Sequence, residues 1–144
     1  MSRLEIPLPE KFIFSTKIPV RIGDINRASH LSHVNLVQIL EEARAQFVVS
    51  LGYKDEVSIS QGKGFILADL QVIFEGQSHY GQTLKIEIGV ADIQEKSFAL
   101  VYLVANSENE SRVAIARTTI LTFDYQEQKV IPLPEELRKN LLKY

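Results

Sequence analysis

The chain has 144 residues, a length typical of one domain, and its 45% hydrophobic and 24% charged residues are the balance of a folded protein. Its net charge of −2 argues against a dedicated nucleic-acid-binding protein, which would carry a basic face. The absence of cysteine excludes disulfides, thiolate nucleophiles and cysteine-ligated metals, and it is compatible with a reducing compartment. We therefore expect a single cytoplasmic domain over residues 1–144, with neither a signal peptide nor a membrane span.

The first predicted strand covers residues 12–22. Pro19 within it indicates an edge strand or a bulge, because proline cannot donate a ladder hydrogen bond. Residues 23–32 are polar and irregular, which predicts a loop before the next element.

A long helix is predicted from His33 onward. Apolar residues recur at steps of three and four, as on one face of a helix: Leu36, Leu40, Ala43, Phe47 and Leu51. Ser32 is suited to the N-cap and Gly52 to the position after the C-cap, which gives a helix of about 18 residues. Val37 and Val48 lie on its other side, so we expect the helix to be buried around much of its circumference.

Residues 54–63 predict a polar connection that holds a short helical turn, and strands follow it. The strand candidates are residues 64–77, 83–94, 97–107 and 112–124. Short polar turns separate the last three candidates and predict an antiparallel meander. A short final helix is predicted at residues 135–142.

One long apolar helix and about five antiparallel strands predict an α+β fold, in which the sheet curls around the helix and covers it. The edges of such a sheet stay unpaired, so pairing with a second copy is expected, as a homodimer or homotetramer.

The segment from Arg21 to Arg44, RIGDINRASHLSHVNLVQILEEAR, resembles the 4-hydroxybenzoyl-CoA thioesterase-like family. Acyl-CoA thioesterases of that family often read Asp-x-Asp-x-x-Gly-His before the helix and Glu-Ala-Arg near its middle. When His30 is placed on the family histidine, Glu42-Ala43-Arg44 falls on Glu-Ala-Arg without a gap. The resemblance covers roughly residues 18–125. It implies the hotdog fold, a long central helix wrapped by a curved five-stranded antiparallel sheet, and hydrolysis of acyl-CoA or acyl-ACP thioesters.

Two positions depart from the family pattern. The usual catalytic aspartate falls on Asn26, whereas the first aspartate is kept as Asp24, and Ser29 stands where glycine is usual. Asn26 cannot act as a base, but it can orient a water molecule or donate a hydrogen bond to the thioester carbonyl.

The remaining catalytic roles follow from this resemblance. Asp24 is the predicted general base for water, and His30 orients or shares the proton. Glu42 is the second choice for the attacking carboxylate, because a helix glutamate attacks in some other hotdog thioesterases. Each residue also has a structural interpretation: Asp24 and His30 as hydrogen-bonded loop residues, and Glu41 or Glu42 as ion-pair partners of Arg44.

The helix N-terminus is the predicted oxyanion hole, because its free N–H groups and partial positive charge favour a developing anion. The substrate-binding candidates are His33, Val34 and Asn35. No cofactor is expected beyond the coenzyme A of the substrate. A metal site is not expected either, because His30, His33 and His79 lack a further ligand at a known spacing.

Two alternatives remain open. Residues 23–26 match the start of the Gly-Asp-x-Asn-Pro-x-His motif of hotdog enoyl-CoA hydratases, but Arg27 replaces the proline and His30 comes one residue late. A non-catalytic protein that binds acyl-CoA or acyl-ACP would also explain Asn26.

Residues 76–81 resemble a nucleophile elbow, but the second glycine falls one residue late.

Overall fold

The computed structural model describes residues 4–142. This part of the chain forms one antiparallel sheet and two α-helices. The strands are β1 (Phe14–Pro19), β2 (Lys63–Phe74), β3 (Thr83–Ala91), β4 (Ser97–Asn106), β5 (Arg112–Asp124) and β6 (Lys129–Ile131). The helices are α1 (His33–Ser50) and α2 (Glu135–Leu142). The α+β class is confirmed, although the sheet has six strands where five were predicted.

The strand order is β1-β3-β4-β5-β2, and β6 pairs with β5. The predicted meander is confirmed for β3, β4 and β5, whereas β2 crosses over to pair with β5 along its whole length. Strand β1 lies at one edge of this order, as Pro19 indicated. Strand β2 lies at the other edge, so its second side is free of partners within residues 4–142.

Helix α1 begins and ends where its capping residues predict. The Ser32 side chain accepts a hydrogen bond from the Val34 N–H at 3.3 Å, and Gly52 follows the C-cap with φ +99°. One face of α1 packs on the curved sheet through its buried apolar residues, Leu36, Ile39, Leu40, Ala43, Phe47 and Val48. The opposite face is exposed from Val34 to Val49, so the helix is buried on one side only.

Part of the outer face of the sheet is covered by the N-terminal segment, residues 4–12. Ile6 is buried there against Val101 and Ile115. Gly89 permits this crossing, because a Cβ at that position would collide with Pro9 and with the carbonyl of Lys11. Leu137 and Leu141 of α2 join the main core.

Other boundaries shift by a few residues. Residues 22–24 form a 3₁₀ turn instead of the end of the first strand, and residues 54–62 form turns without a helical segment. Strand β6 has three residues and was not predicted. Neither helix within residues 4–142 has the length and apolar character needed to cross a bilayer.

Candidate active site

A cavity of about 360 Å³ opens beside the first turn of α1. Its apolar walls come from three different elements: Leu36 of α1, Phe74 at the end of β2 and Val113 at the start of β5. Asn26 and His30 line the same cavity from the loop that precedes the helix. Apolar walls with a few convergent polar groups are typical of small-molecule sites.

The loop that carries Asn26 and His30 is a tight turn closed by Asn26 itself. The Asn26 side-chain oxygen accepts hydrogen bonds from the N–H groups of Ala28 at 2.9 Å and His30 at 3.4 Å. The Asn26 N–H donates to the His30 carbonyl at 3.0 Å. Because the oxygen serves the turn, the Asn26 Nδ2 is the group left to act on a bound molecule.

Ser29 adopts φ +64° within this turn. A residue with a side chain rarely adopts this left-handed conformation, whereas glycine does so readily. The structure thus gives a physical reason for the glycine that the family pattern has before its histidine.

The His30 ring has one nitrogen committed to the backbone. Its Nδ1 lies 3.2 Å from the Leu31 carbonyl oxygen, which can only accept a hydrogen bond. The Nδ1 of the neutral ring therefore carries the hydrogen, and Nε2 is left as a proton acceptor. His30 is half-buried at the cavity, so this geometry suits a general base.

Asp24 is tied into the protein away from the cavity. Its side chain is buried and accepts hydrogen bonds from the Arg21 N–H at 2.9 Å, the Arg21 guanidinium at 3.4 Å and the Asn35 amide at 3.2 Å. Burial raises the pKa of Asp24, but these donors and the Arg21 charge outweigh it and hold that pKa below its ordinary value. Asp24 does not line the cavity.

Glu42 is exposed on α1 and lines a separate groove of about 290 Å³ with Pro19 and Gln38. It lies nine residues after His33, about 14 Å along the helix axis. The predicted ion pairs between Arg44 and Glu41 or Glu42 are wrong. Arg44 instead turns into the core and pairs with Glu56, with 3.0 Å between Nε and Oε1.

The first turn of α1 offers two free backbone donors. Val34 N–H is taken by the Ser32 side chain and Leu36 N–H by the Ser32 carbonyl. The N–H groups of His33 and Asn35 have no partner within residues 4–142. The His33 side chain lines the cavity, the Val34 side chain points outward, and the Asn35 side chain bonds to Asp24.

The sequence did not single out the cavity's apolar walls or the segment of residues 76–82 as parts of this site. Gln77 and Ser78 line the cavity, and the Ser78 carbonyl accepts the Leu31 N–H at 2.7 Å. Ser78 is buried and its Oγ donates to Gln82 at 3.0 Å, so it is a structural residue in place of a nucleophile. No cluster of three potential metal ligands occurs in residues 4–142.

Comparisons with known proteins converge on one family. The sequence model of the thioesterase-like superfamily matches residues 20–141. No curated protein matches the chain. Among solved structures, a 1,4-dihydroxy-2-naphthoyl-CoA thioesterase from Synechocystis is 21% identical over 90% of this chain and 95% of its own, with a TM-score of 0.81.

Two further structures agree with this result. A thioesterase superfamily protein from Jannaschia sp. is 17% identical over 98% of each chain, with a TM-score of 0.87. A gentisyl-coenzyme A thioesterase is 19% identical over 89% of this chain and 99% of its own, with a TM-score of 0.79. At these identities the structures show a shared hotdog fold.

Proposed function

This chain belongs to the thioesterase-like superfamily, and from that premise we propose that it hydrolyses acyl-CoA thioesters in the cavity beside the first turn of α1. The family and the hotdog fold support thioester hydrolysis as the class of reaction. The observation that carries the proposal is that His30 lines the cavity and that its Nε2 has no hydrogen-bond partner within residues 4–142.

In the proposed reaction, Nε2 of His30 takes a proton from water as the water oxygen attacks the thioester carbonyl carbon. Asn26 Nδ2 and the N–H groups of His33 and Asn35 stabilise the oxyanion. The carbon–sulfur bond then breaks, and Nε2 returns the proton to the departing thiolate. The products are the free acid and coenzyme A.

Asp24 acts in this scheme as a positioning residue. Its carboxylate holds Arg21 and Asn35, and its carbonyl accepts the Ser32 N–H at 2.9 Å, so it joins the loop to the helix start. The general-base role of Asp24 and the attacking role of Glu42 stay predictions. Neither carboxylate lines the cavity.

We propose an aromatic acyl group as the first substrate class to test. The cavity of about 360 Å³ is larger than an engineered apolar cavity of about 150 Å³ that accepts benzene. The Phe74 ring lines it and can stack on a second ring. The 1,4-dihydroxy-2-naphthoyl-CoA and gentisyl-CoA thioesterases among the similar structures are named for aromatic acyl groups.

We further propose that two copies pair through their β2 edges. This strand has exposed apolar side chains at Leu67, Leu70 and Phe74. Helix α1 also has exposed apolar side chains, at Val34 and Val49. A free strand edge with apolar side chains is a template for antiparallel pairing, and the two-fold axis closes such a dimer. Because Phe74 also lines the cavity, the second copy would border the site.

The test is thiol release from aromatic and aliphatic acyl-CoAs and from acyl-ACP, followed with a thiol-reactive dye. The chain has no cysteine, so the dye reports the product thiol alone. We expect turnover with at least one aromatic acyl-CoA. Binding without thiol release would favour the acyl-CoA-binding alternative, and hydration of crotonyl-CoA would favour the hydratase.

A further inference from the structure

We propose that His79 is a positioning residue for this reaction, because it holds the turn that presents Asn26 and His30 to the cavity. The inference rests on the proposed function, since it gives His79 a role in that same site.

The contact joins two segments that lie 50 residues apart in the chain. The Nδ1 of His79 is 3.1 Å from the carbonyl oxygen of Ser29. A carbonyl oxygen only accepts hydrogen bonds, so Nδ1 of His79 carries the hydrogen. Ser29 is the residue with φ +64°, and its N–H donates to the Asn26 carbonyl at 3.0 Å. The bond from His79 therefore falls on the strained position of the turn.

His30 is held on both flanks by two consecutive residues. On one side, His79 donates to the Ser29 carbonyl. On the other side, the Ser78 carbonyl accepts the Leu31 N–H at 2.7 Å. These two bonds restrain the chain immediately before and after His30, and so they restrain the direction in which its side chain leaves the backbone.

The segment of residues 76–82 is supported by its own hydrogen bonds. The Gln82 side-chain oxygen accepts hydrogen bonds from the His79 N–H at 2.8 Å and from the Ser78 hydroxyl at 3.0 Å. Gly81 adopts φ +91°, and its N–H donates to the Val20 carbonyl at 3.3 Å. The segment of residues 76–82 thus has its own support and can impose a position on the loop beside it.

The role is separable from folding, because the His79 side chain is exposed and the Ser78–Leu31 bond is between backbone atoms. His79→Ala removes the bond to Ser29 and leaves the other flank in place. His79→Asn is the conservative variant, because the Nδ2 of asparagine reaches about as far as the Nδ1 of histidine and also donates.

Steady-state kinetics and NMR of the full chain test the proposal. We expect His79→Ala to lower kcat about tenfold with KM within about twofold of wild type, and His79→Asn to recover most of kcat. The chain has three histidines, so ¹⁵N ring spectra resolve each one. The neutral His79 ring is expected to carry its hydrogen on Nδ1.

A hydrogen on Nε2 of neutral His79, an unchanged kcat in His79→Ala, or an equal loss in His79→Asn would overturn the proposal. If the wild-type protein hydrolyses no thioester, the proposed function fails separately. The ring spectrum and the amide exchange of Asn26 and Ser29, which should accelerate in His79→Ala, then decide whether His79 holds the turn.

Discussion

The side-chain amide of Asn35 donates a hydrogen bond to the carboxylate of Asp24 at 3.2 Å, and the same amide lies 3.4 Å from the Gly23 carbonyl. The contact joins the first turn of α1 to the loop that precedes it. The backbone N–H and the guanidinium of Arg21 also donate to this carboxylate. Asp24 therefore sets how the helix N-terminus meets the loop of Asn26 and His30.

This contact makes the stability of the protein depend on pH through Asp24. Its pKa is lowered in the folded state, so its contribution is complete above the unfolded pKa of about 3.9 and is lost as pH falls through the folded value. We expect Asp24→Asn to lower the free energy of unfolding by about 1–2 kcal/mol at neutral pH. Urea unfolding at a series of pH values measures this difference, which should shrink below about pH 4. A difference that stays constant down to pH 2 would be the contrary result.

The Arg44–Glu56 ion pair joins α1 to the connection before β2. The Arg44 side chain is 7% exposed and also interacts with the buried Tyr102, whose hydroxyl lies 2.9 Å from that of Thr118. Glu56→Gln leaves the buried guanidinium without its counter-charge, and we expect a loss of about 3 kcal/mol of stability.

Glu127→Gln is the matched control, because the Lys129–Glu127 pair is more than 60% exposed on both sides and should contribute little. Thermal unfolding of the two variants measures the contrast. Equal melting temperatures for both variants would show that the Arg44–Glu56 pair contributes no more to stability than the exposed pair.

The β2 edge gives a prediction about assembly. Leu70→Lys places a charge on the free edge of the sheet, and we expect it to shift a dimer to a monomer in analytical ultracentrifugation. Leu142→Lys changes an equally large exposed side chain on α2 and should leave the dimer intact. The pairing through β2 is wrong if Leu70→Lys sediments as the wild type does.

Phe74 links the cavity to substrate choice. Phe74→Ala removes an aromatic wall, and we expect kcat/KM for aromatic acyl-CoAs to fall about tenfold while short aliphatic substrates change less. Val57→Ala is the control, because Val57 is an exposed apolar residue that neither lines the cavity nor belongs to the segment of residues 76–82. The same loss for both classes of substrate would remove Phe74 from acyl recognition, provided that the variant keeps its oligomeric state.

Local signals predicted much of the fold. Helix α1 matches the prediction at both ends because Ser32 and Gly52 act within one turn of the helix. Strand β5 matches as well, because its β-branched run ends at polar turns. Strand β6 was missed because three residues carry no periodicity, and the pairing of β2 with β5 depends on contacts far apart in the chain.

The site was less predictable, because its residues come from segments that lie far apart in the chain. The motif predicted Asn26 and His30 as site residues, and both line the cavity from one loop. Asp24 accepts hydrogen bonds from Arg21 and Asn35. The sequence spacing alone does not show that these residues come together in the fold. Val113 and Ser78 join the site through the sheet and its connections, and no pattern around them indicates a cavity.

The most direct measurement is kcat for thiol release by His30→Gln beside Glu42→Gln, both with the best acyl-CoA substrate of the wild type. With His30 as the base, we expect kcat to fall by roughly 100-fold or more in His30→Gln and to stay near the wild-type value in Glu42→Gln. Full activity in His30→Gln, or a comparable collapse in Glu42→Gln alone, would contradict the assignment of the reaction to this cavity.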